Sequence, residues 1–324
     1  MVSRRDFLGI AAAGTAALRH RLPATLGTGS QSRGTPVNFP VPAGACDCHV
    51  HVFGDAKRFP FSPDRPYTPP PAPVDELRKM QGTLHMTRVV VVTPAVYGTN
   101  NECTLDAIQQ LGPQARGVAL IDPRTTPRQL DQLGRGGIRG IRLNFETLGV
   151  TDPTAAAEQF RLVSTQISGR GWHIQVNTRL SIVEALHDQI LSRPLTVVFD
   201  HFAQAPAALG TDQPGFAALV HLLASGRAYV KISAAYRIST KAPEYADVAP
   251  LARALIAANP ERVLWGSDWP HPDAARQQGR TAVDVRPPLP VDDGRMLNQL
   301  AVWAPDSLVR RTILVENPAR LYGF

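Results

Sequence analysis

Cysteine is scarce. Cys46, Cys48 and Cys103 are the three in 324 residues, too few for a disulfide-built scaffold. Long apolar runs are missing too: beyond the N-terminus no stretch reaches the roughly 18 apolar residues of a membrane helix, so no membrane span is expected. No GxGxxG follows the first predicted strand, which argues against a dinucleotide-binding open sheet. No internal repeat of solenoid length is present. Positive charge is thinner than the net of +7 suggests. Arg4, Arg5, Arg19, Arg21 and Arg33 against Asp6 place four of those charges in residues 1–34 and leave three for the rest. A body so nearly neutral excludes nucleic acid as an expected partner.

What is present is a globular composition. With 44% hydrophobic and 19% charged residues, the chain can bury a sizeable core and is not disordered. Ser3-Arg4-Arg5-Asp6-Phe7-Leu8 precedes a short, weakly apolar run, Gly9–Leu18. A paired arginine ahead of such a run reads as a twin-arginine export signal, which implies the Tat export machinery as a partner and a periplasmic or exported destination. Residues 1–34 are therefore expected to hold the signal and linker, 35–44 further linker, and 45–324 one domain.

Within that domain short β-branched runs alternate with helical patterns. Strands are expected at Ala45–Phe53, Arg88–Thr93, Gly117–Ile121, Ile138–Phe145, His173–Thr178, Leu195–His201, Tyr229–Ser233 and Val263–Asp268. Helices are expected at Val74–Leu84, Asn101–Leu111, Thr154–Arg170, Ser181–Ser192, Pro214–Ser225, Tyr245–Asn259 and Asp292–Trp303, with a closing stretch at Asp306–Glu316. Eight strands in alternation predict an α/β fold of the (β/α)8 TIM barrel type, a single domain. Seven prolines between Gly54 and Val74 predict a stiff cover over the barrel mouth.

Polar groups gather at the strand ends. In the first strand Asp47, His49 and His51 alternate with Cys46, Cys48 and Val50, so the first set is expected to face inward. Cys46 and Cys48 then serve as small buried hydrophobes. Cys103 has no histidine or CxxC context for a catalytic thiol. The sixth strand ends in Asp200-His201 and the eighth in Ser267-Asp268-Trp269-Pro270-His271. His49, His51, His201 and Asp268 should meet at one mouth, where a carboxylate and imidazoles can deprotonate water and stabilise an oxyanion.

Asp47-Cys48-His49-Val50-His51, Asp200-His201, Gly266-Ser267-Asp268-Trp269-Pro270-His271 and Asn317-Pro318-Ala319-Arg320-Leu321-Tyr322 resemble the amidohydrolase superfamily (amidohydrolase-related family 2). Within it the chain is similar to the 2-pyrone-4,6-dicarboxylate lactonase branch, through Arg58-Phe59-Pro60, Arg65-Pro66-Tyr67, Gly140–Asn144 and Val230–Ser233 with Arg237. The resemblance implies a hydrolase that opens the lactone ring of a small acidic substrate, derived from a carbohydrate or an aromatic. Asp268 would activate water, with His49, His51 and His201 polarising the carbonyl. Tyr67, Arg142, Asn177, Arg237 and His271 would bind substrate, the arginines by matching a carboxylate in two-point geometry. Arg139 is read as structural.

Metal-dependent members typically add a histidine from the fifth strand, but here Asn177 stands at that place, and Lys231 is on the seventh strand, not the fourth. The lactonase branch works without metal, so no cofactor is expected. If a metal binds, zinc on His49, His51 and Asp268 is the expected set. Ala95, Asn177 and the lack of a second basic residue after Arg142, where the chain reads Leu143-Asn144-Phe145-Glu146-Thr147-Leu148, depart from the lactonase pattern, so the substrate need not be the pyrone dicarboxylate. A zinc-dependent hydrolase or decarboxylase and a non-catalytic periplasmic binding barrel are the competing readings.

Overall fold

A computed structural model describes residues 34–274, 279 and 281–324. The twin-arginine run and most of the expected linker, residues 1–33, lie outside the described residues. The strands are β1 (Cys46–Val50), β2 (Arg88–Val92), β3 (Ala115–Ala119), β4 (Ile138–Asn144), β5 (His173–Asn177), β6 (Val197–Phe199), β7 (Ala228–Lys231) and β8 (Val263–Leu264). They form one parallel sheet in the order β1 to β8. The sheet curls until its ends meet. Val50 bridges Trp269, Cys48 N donates to Trp265 O at 3.0 Å, and Asp268 N donates to His49 O at 2.9 Å. This is the expected (β/α)8 barrel. Both faces of the strands are buried, as β-branched runs such as Val89–Val92 require.

The helices are α1 (Val74–Thr83), α2 (Glu102–Leu111), α3 (Pro127–Arg135), a single turn α4 (Phe145–Leu148), α5 (Pro153–Gln166), α6 (Leu180–Leu191), α7 (Phe216–Ala224), α8 (Ala249–Ala258), α9 (Asp293–Trp303), α10 (Ser307–Arg311) and α11 (Asn317–Tyr322). Helix α3 was not anticipated, although its start signal is explicit: Thr126 and Gln129 form a reciprocal capping box ahead of Pro127. β8 pairs over only two residues where six were expected. The chain after it runs too close to β1 for a side chain at Gly266, whose added Cβ would lie 2.8 Å from His49 N and Cβ.

One expected face is overturned. The β1–β2 register shifts between Asp47 and Val50, and such a bulge slips the alternation by one residue. Cys46 and Cys48 consequently pack with the inward Val90, Val118, Val198, Leu264 and Tyr322, followed by the inward His49 and His51. Asp47 departs from the histidine face, and its Oδ1 accepts from Ser267 N at 2.9 Å and His49 N at 3.1 Å. All three cysteines are buried and free.

Residues 34–44, read as linker, are fastened to the body. Thr35 N and Oγ1 donate to Asp292 Oδ2 at 3.0 and 2.7 Å. Asn38 N donates to Asn298 Oδ1 at 2.8 Å, and Asn298 Nδ2 to Pro36 O at 2.9 Å. The proline-rich segment also lies as expected. Phe53 and Ala72 exchange two backbone bonds, Thr68 bridges Val285, and Tyr67 is buried.

Candidate active site

The strands place their inward residues at the carboxyl end of the barrel, where (β/α)8 sites are built. Asp268 follows β8 with φ of 67°, and His201 follows β6 with φ of 49°. Left-handed backbone at non-glycine residues is held only where the surroundings enforce it. Here it turns both side chains into one centre. Asp268 Oδ1 is fully buried and has no hydrogen-bond partner among the described residues. Around it stand His49 Nε2 at 3.6 Å, His51 Nε2 at 3.7 Å and His201 Nε2 at 3.7 Å. The other carboxylate oxygen is anchored: Oδ2 accepts from Tyr236 Oη at 2.6 Å and Arg237 Nε at 2.7 Å.

Electrostatics fix the charge states. Burial pushes the Asp268 carboxyl up, but the groups around it, the Arg237 guanidinium foremost, overcome it and hold it well below the ordinary carboxylate range. Burial pulls His51 down to about 3, with Arg142 adding to it, and pulls His201 down to about 4. It drives His49 well below its usual value, with Lys231 as the next cause. The site at neutral pH is an ionised carboxylate facing three neutral rings.

Each ring's outer nitrogen is engaged. His51 Nδ1 lies 2.7 Å from Val92 O, and His201 Nδ1 lies 2.8 Å from Ser233 Oγ. His49 Nδ1 lies 3.2 Å from both Lys231 Nζ and Asp200 Oδ1. Beneath it is a buried ionic cluster. Asp200 Oδ2 faces Arg142 Nη2 at 3.2 Å and accepts from Gln175 Nε2 at 3.0 Å. Burial pushes the Asp200 carboxyl up, yet Lys231, His49 and Arg142 hold it well below its ordinary value.

The structure thus brings His49, His51, His201, Asp268 and Arg237 into direct contact. Tyr67 lies within the field of Arg142, Arg237 and Asp268. Arg142 is buried on Asp200 rather than free at the surface. His271 reaches the centre through Tyr236, its Nδ1 3.3 Å from the phenol oxygen and its Nε2 3.1 Å from Asp293. Asn177 stands apart, donating to Asn144 Oδ1 at 2.9 Å and accepting from Gln204 at 3.2 Å. It lines a mouth cavity of ≈ 610 Å³ with Tyr236, Arg237, Glu146, Thr147, Arg179 and others. A second cavity of ≈ 290 Å³, between Tyr67, Pro69–Pro71, Trp269 and His271, lies under the proline cover. Arg139 is structural, donating to Gly134 O and Ile138 O.

Tyr236, Lys231, Gln175 and Ser233 were not anticipated as parts of the site. Tyr229, Lys231 and Ser233 alternate along the expected strand Tyr229–Ser233, which was the available signal for two of them. The ligand atoms of His49, His201 and Asp268 close to within 4.8 Å of one another, and those of the expected set are as near, the Nε2 atoms of His49 and His51 lying 3.3 Å apart and 3.6 and 3.7 Å from Asp268 Oδ1. Two imidazoles, a carboxylate oxygen without a partner and ring nitrogens braced from behind suit a divalent ion such as zinc in donor type and number.

Residues 46–324 match the family described as amidohydrolase. The chain is 35% identical over 296 residues to the 4-sulfomuconolactone hydrolase of Hydrogenophaga intermedia, covering 91% of this chain and 94% of that protein. It is 34% identical over 293 residues to the 2-pyrone-4,6-dicarboxylate hydrolase of Comamonas testosteroni, covering 88% and 92%. A crystal structure from Agrobacterium tumefaciens superposes with a TM-score of 0.75 at 27% identity, covering 90% of this chain and 99% of that one.

Proposed function

This chain belongs to the amidohydrolase family, and we propose that within it the protein hydrolyses the ring ester of a small acidic lactone. The observation that carries the reading is Asp268: a buried, ionised carboxylate with one oxygen anchored and the other without a hydrogen-bond partner among the described residues, ringed by three neutral imidazoles. Two relatives that span nine-tenths of the chain are hydrolases of cyclic esters by name, which supports the same reaction class.

The chemistry follows from that geometry. A water beside Asp268 Oδ1 gives its proton to the carboxylate as its oxygen bonds to the lactone carbonyl carbon. The carbonyl π pair moves onto oxygen, against the Nε2 edges of the histidines. Each well-aimed donor to such an oxyanion contributes about 3–4 kcal/mol. Collapse of the tetrahedral carbon breaks the ring C–O bond, and Asp268 returns its proton to the leaving oxygen. Arg237 and Tyr236 hold Asp268 in place and flank the mouth cavity, with Tyr67 and Arg142 near the reacting centre. Ring opening by chelator-treated protein, followed across pyrone dicarboxylate, muconolactones and sugar-acid lactones, tests the reading. Asp268→Asn is expected to keep the fold and lose at least about a hundredfold in kcat; normal turnover in that variant would sink the assignment.

A metal-dependent hydrolase is the second reading, favoured by the 4.8 Å closure of His49, His201 and Asp268. Those three residues would hold a zinc ion, whose contribution when bound is Lewis acidity toward water and carbonyl oxygen. Activity that appears only when zinc is restored would select it. The paired Arg4-Arg5 ahead of a short apolar run supports export through the twin-arginine route, which fractionation of cells carrying Arg4→Lys/Arg5→Lys would test.

A further inference from the structure

Lys231 is fully buried, and its Nζ has three neighbours: Gln175 Oε1 at 2.7 Å, Asp200 Oδ1 at 3.2 Å and His49 Nδ1 at 3.2 Å. A lysine ammonium donates and does not accept, and the Asp200 carboxylate beside Lys231 favours that form. The Gln175 amide is oriented by the same network, its Nε2 donating to Asp200 Oδ2 at 3.0 Å. If His49 Nδ1 accepts a hydrogen bond from Lys231 Nζ, the neutral ring carries its own hydrogen on Nε2. His51 is fixed in the opposite sense. Its Nδ1 lies 2.7 Å from Val92 O, and a carbonyl only accepts, so His51 Nε2 bears the lone pair.

The two Nε2 atoms are 3.3 Å apart. With His49 protonated on Nε2, that contact is a hydrogen bond from His49 to His51. In the other tautomer, with His49 Nδ1–H directed at Asp200, two lone pairs would face each other at that distance. A cation or a further hydrogen-bond donor between them would be needed to relieve the repulsion. With the side chains of the site alone the contact is satisfied in one way, and Lys231 selects it.

We infer that Lys231 is a positioning residue that holds His49 as an Nε2–H donor, so that the two histidines of β1 have opposite roles and the Nε2 lone pair a metal ion would need from His49 is withheld. For the roles alone, the inference rests on the lactone reading. His49 donates to the developing oxyanion. His51 accepts one hydrogen of the attacking water while Asp268 Oδ1 takes the other. His51 is thereby removed from the set of oxyanion donors. Without Lys231, His49 Nδ1–H turns to Asp200 Oδ1, and its Nε2 lone pair joins His201 and Asp268 as a metal-binding set.

The test begins with the intact wild-type protein and needs no substrate. Nitrogen-15 spectra of labelled histidine rings, assigned through His49→Gln and His51→Gln, are expected to show His49 protonated on Nε2 and His51 on Nδ1. His49 protonated on Nδ1 would overturn the inference whatever the enzyme hydrolyses. In Lys231→Met the His49 ring is expected to change tautomer. Zinc affinity by calorimetry is expected to rise at least tenfold, and cobalt(II) to give the visible absorption of a low-coordinate site. Metal-free kcat is expected to fall about a hundredfold, the effect of one lost oxyanion donor, with KM changed by less than threefold. A folded Lys231→Met protein with the wild-type tautomer and wild-type zinc affinity would refute the role. If that variant does not fold, the wild-type spectrum still decides.

Discussion

Arg237→Met tests what keeps Asp268 ionised. The substitution keeps most of the aliphatic stem and removes the guanidinium that lies 2.7 Å from Asp268 Oδ2. Asp268 would keep the Tyr236 hydroxyl at 2.6 Å on the same oxygen, while its other oxygen has no partner among the described residues to compensate. Breaking a buried ion pair from one side destabilises by about 3–5 kcal/mol. The Arg237 side chain is 21% exposed, so water relieves part of this and the lower end, about 3 kcal/mol, applies. At roughly 2–4 °C per kcal/mol for a domain of this size, the melting temperature should fall by about 6–12 °C. The carboxyl must also rise, because Arg237 is the foremost of the groups opposing burial. A carboxyl depressed in the fold stabilises above its unfolded value and loses that contribution as pH falls through its folded value. In the variant the loss begins at higher pH, and the acid limb of kcat/KM moves toward neutrality. Calorimetry at pH 7.5 and a pH–rate profile on the best substrate of the panel measure both. Arg237→Lys, which keeps charge but not the fork, should fall between. A variant with wild-type melting and an unmoved acid limb would refute the account of Asp268.

Acid should weaken the fold before it protonates the carboxylates of the centre. His51 and His173 are held near 3, His201 near 4 and His49 well below its usual value, all by burial first. Each takes up a proton on unfolding below about pH 6.5, while Asp47, raised by burial to about 7, releases one. A net uptake of three protons makes stability fall by about 4 kcal/mol per pH unit near pH 5; equal urea midpoints at pH 7 and pH 5 would contradict it. Gly266→Ala should destabilise by at least about 2 kcal/mol and reduce turnover more than tenfold, because its Cβ would strike His49 backbone. A fully active, wild-type-stable Gly266→Ala protein would show that β1 and the end of β8 have room to spare. Asp292→Ala removes the bonds to Thr35 N and Oγ1 and the cap on Arg295 N. It should cost about 1–2 kcal/mol with kcat and KM unchanged, read by denaturation and steady-state kinetics.

The barrel was largely legible in the chain, because each strand is a short run buried on both faces and bounded by turns. Its strand starts fall within two residues of expectation. The convergence of His49, His51, His201 and Asp268 was legible as well, since His49 lies near the end of β1 and the other three follow the ends of β1, β6 and β8. The roles of the supporting groups were not. Periodicity assumes uninterrupted alternation, and the β1 bulge breaks it after Asp47. Tyr236 sits in a 3-10 turn after β7, where no periodicity reports direction. Lys231 was weighed only as a metal-bridging lysine on the wrong strand, yet its importance comes from Gln175 and Asp200 on two other strands. Such a cluster is defined by distance across the barrel, which spacing along the chain does not encode. The arginine at position 142 was legible as a cation at the mouth, but not as one committed to Asp200.

The seam of the barrel is also its reaction centre. His49 and His51 come from the first strand, Asp268 comes from the segment after the last, and the backbone bonds that join those ends run through the same residues. A nascent chain that has made only seven strands holds the imidazoles but lacks the carboxylate they surround. No partially synthesised barrel can therefore process substrate, however well its early strands have formed. Turnover reports ring closure directly, and the appearance of activity during refolding times the last and most sequence-distant contact of the fold rather than its collapse.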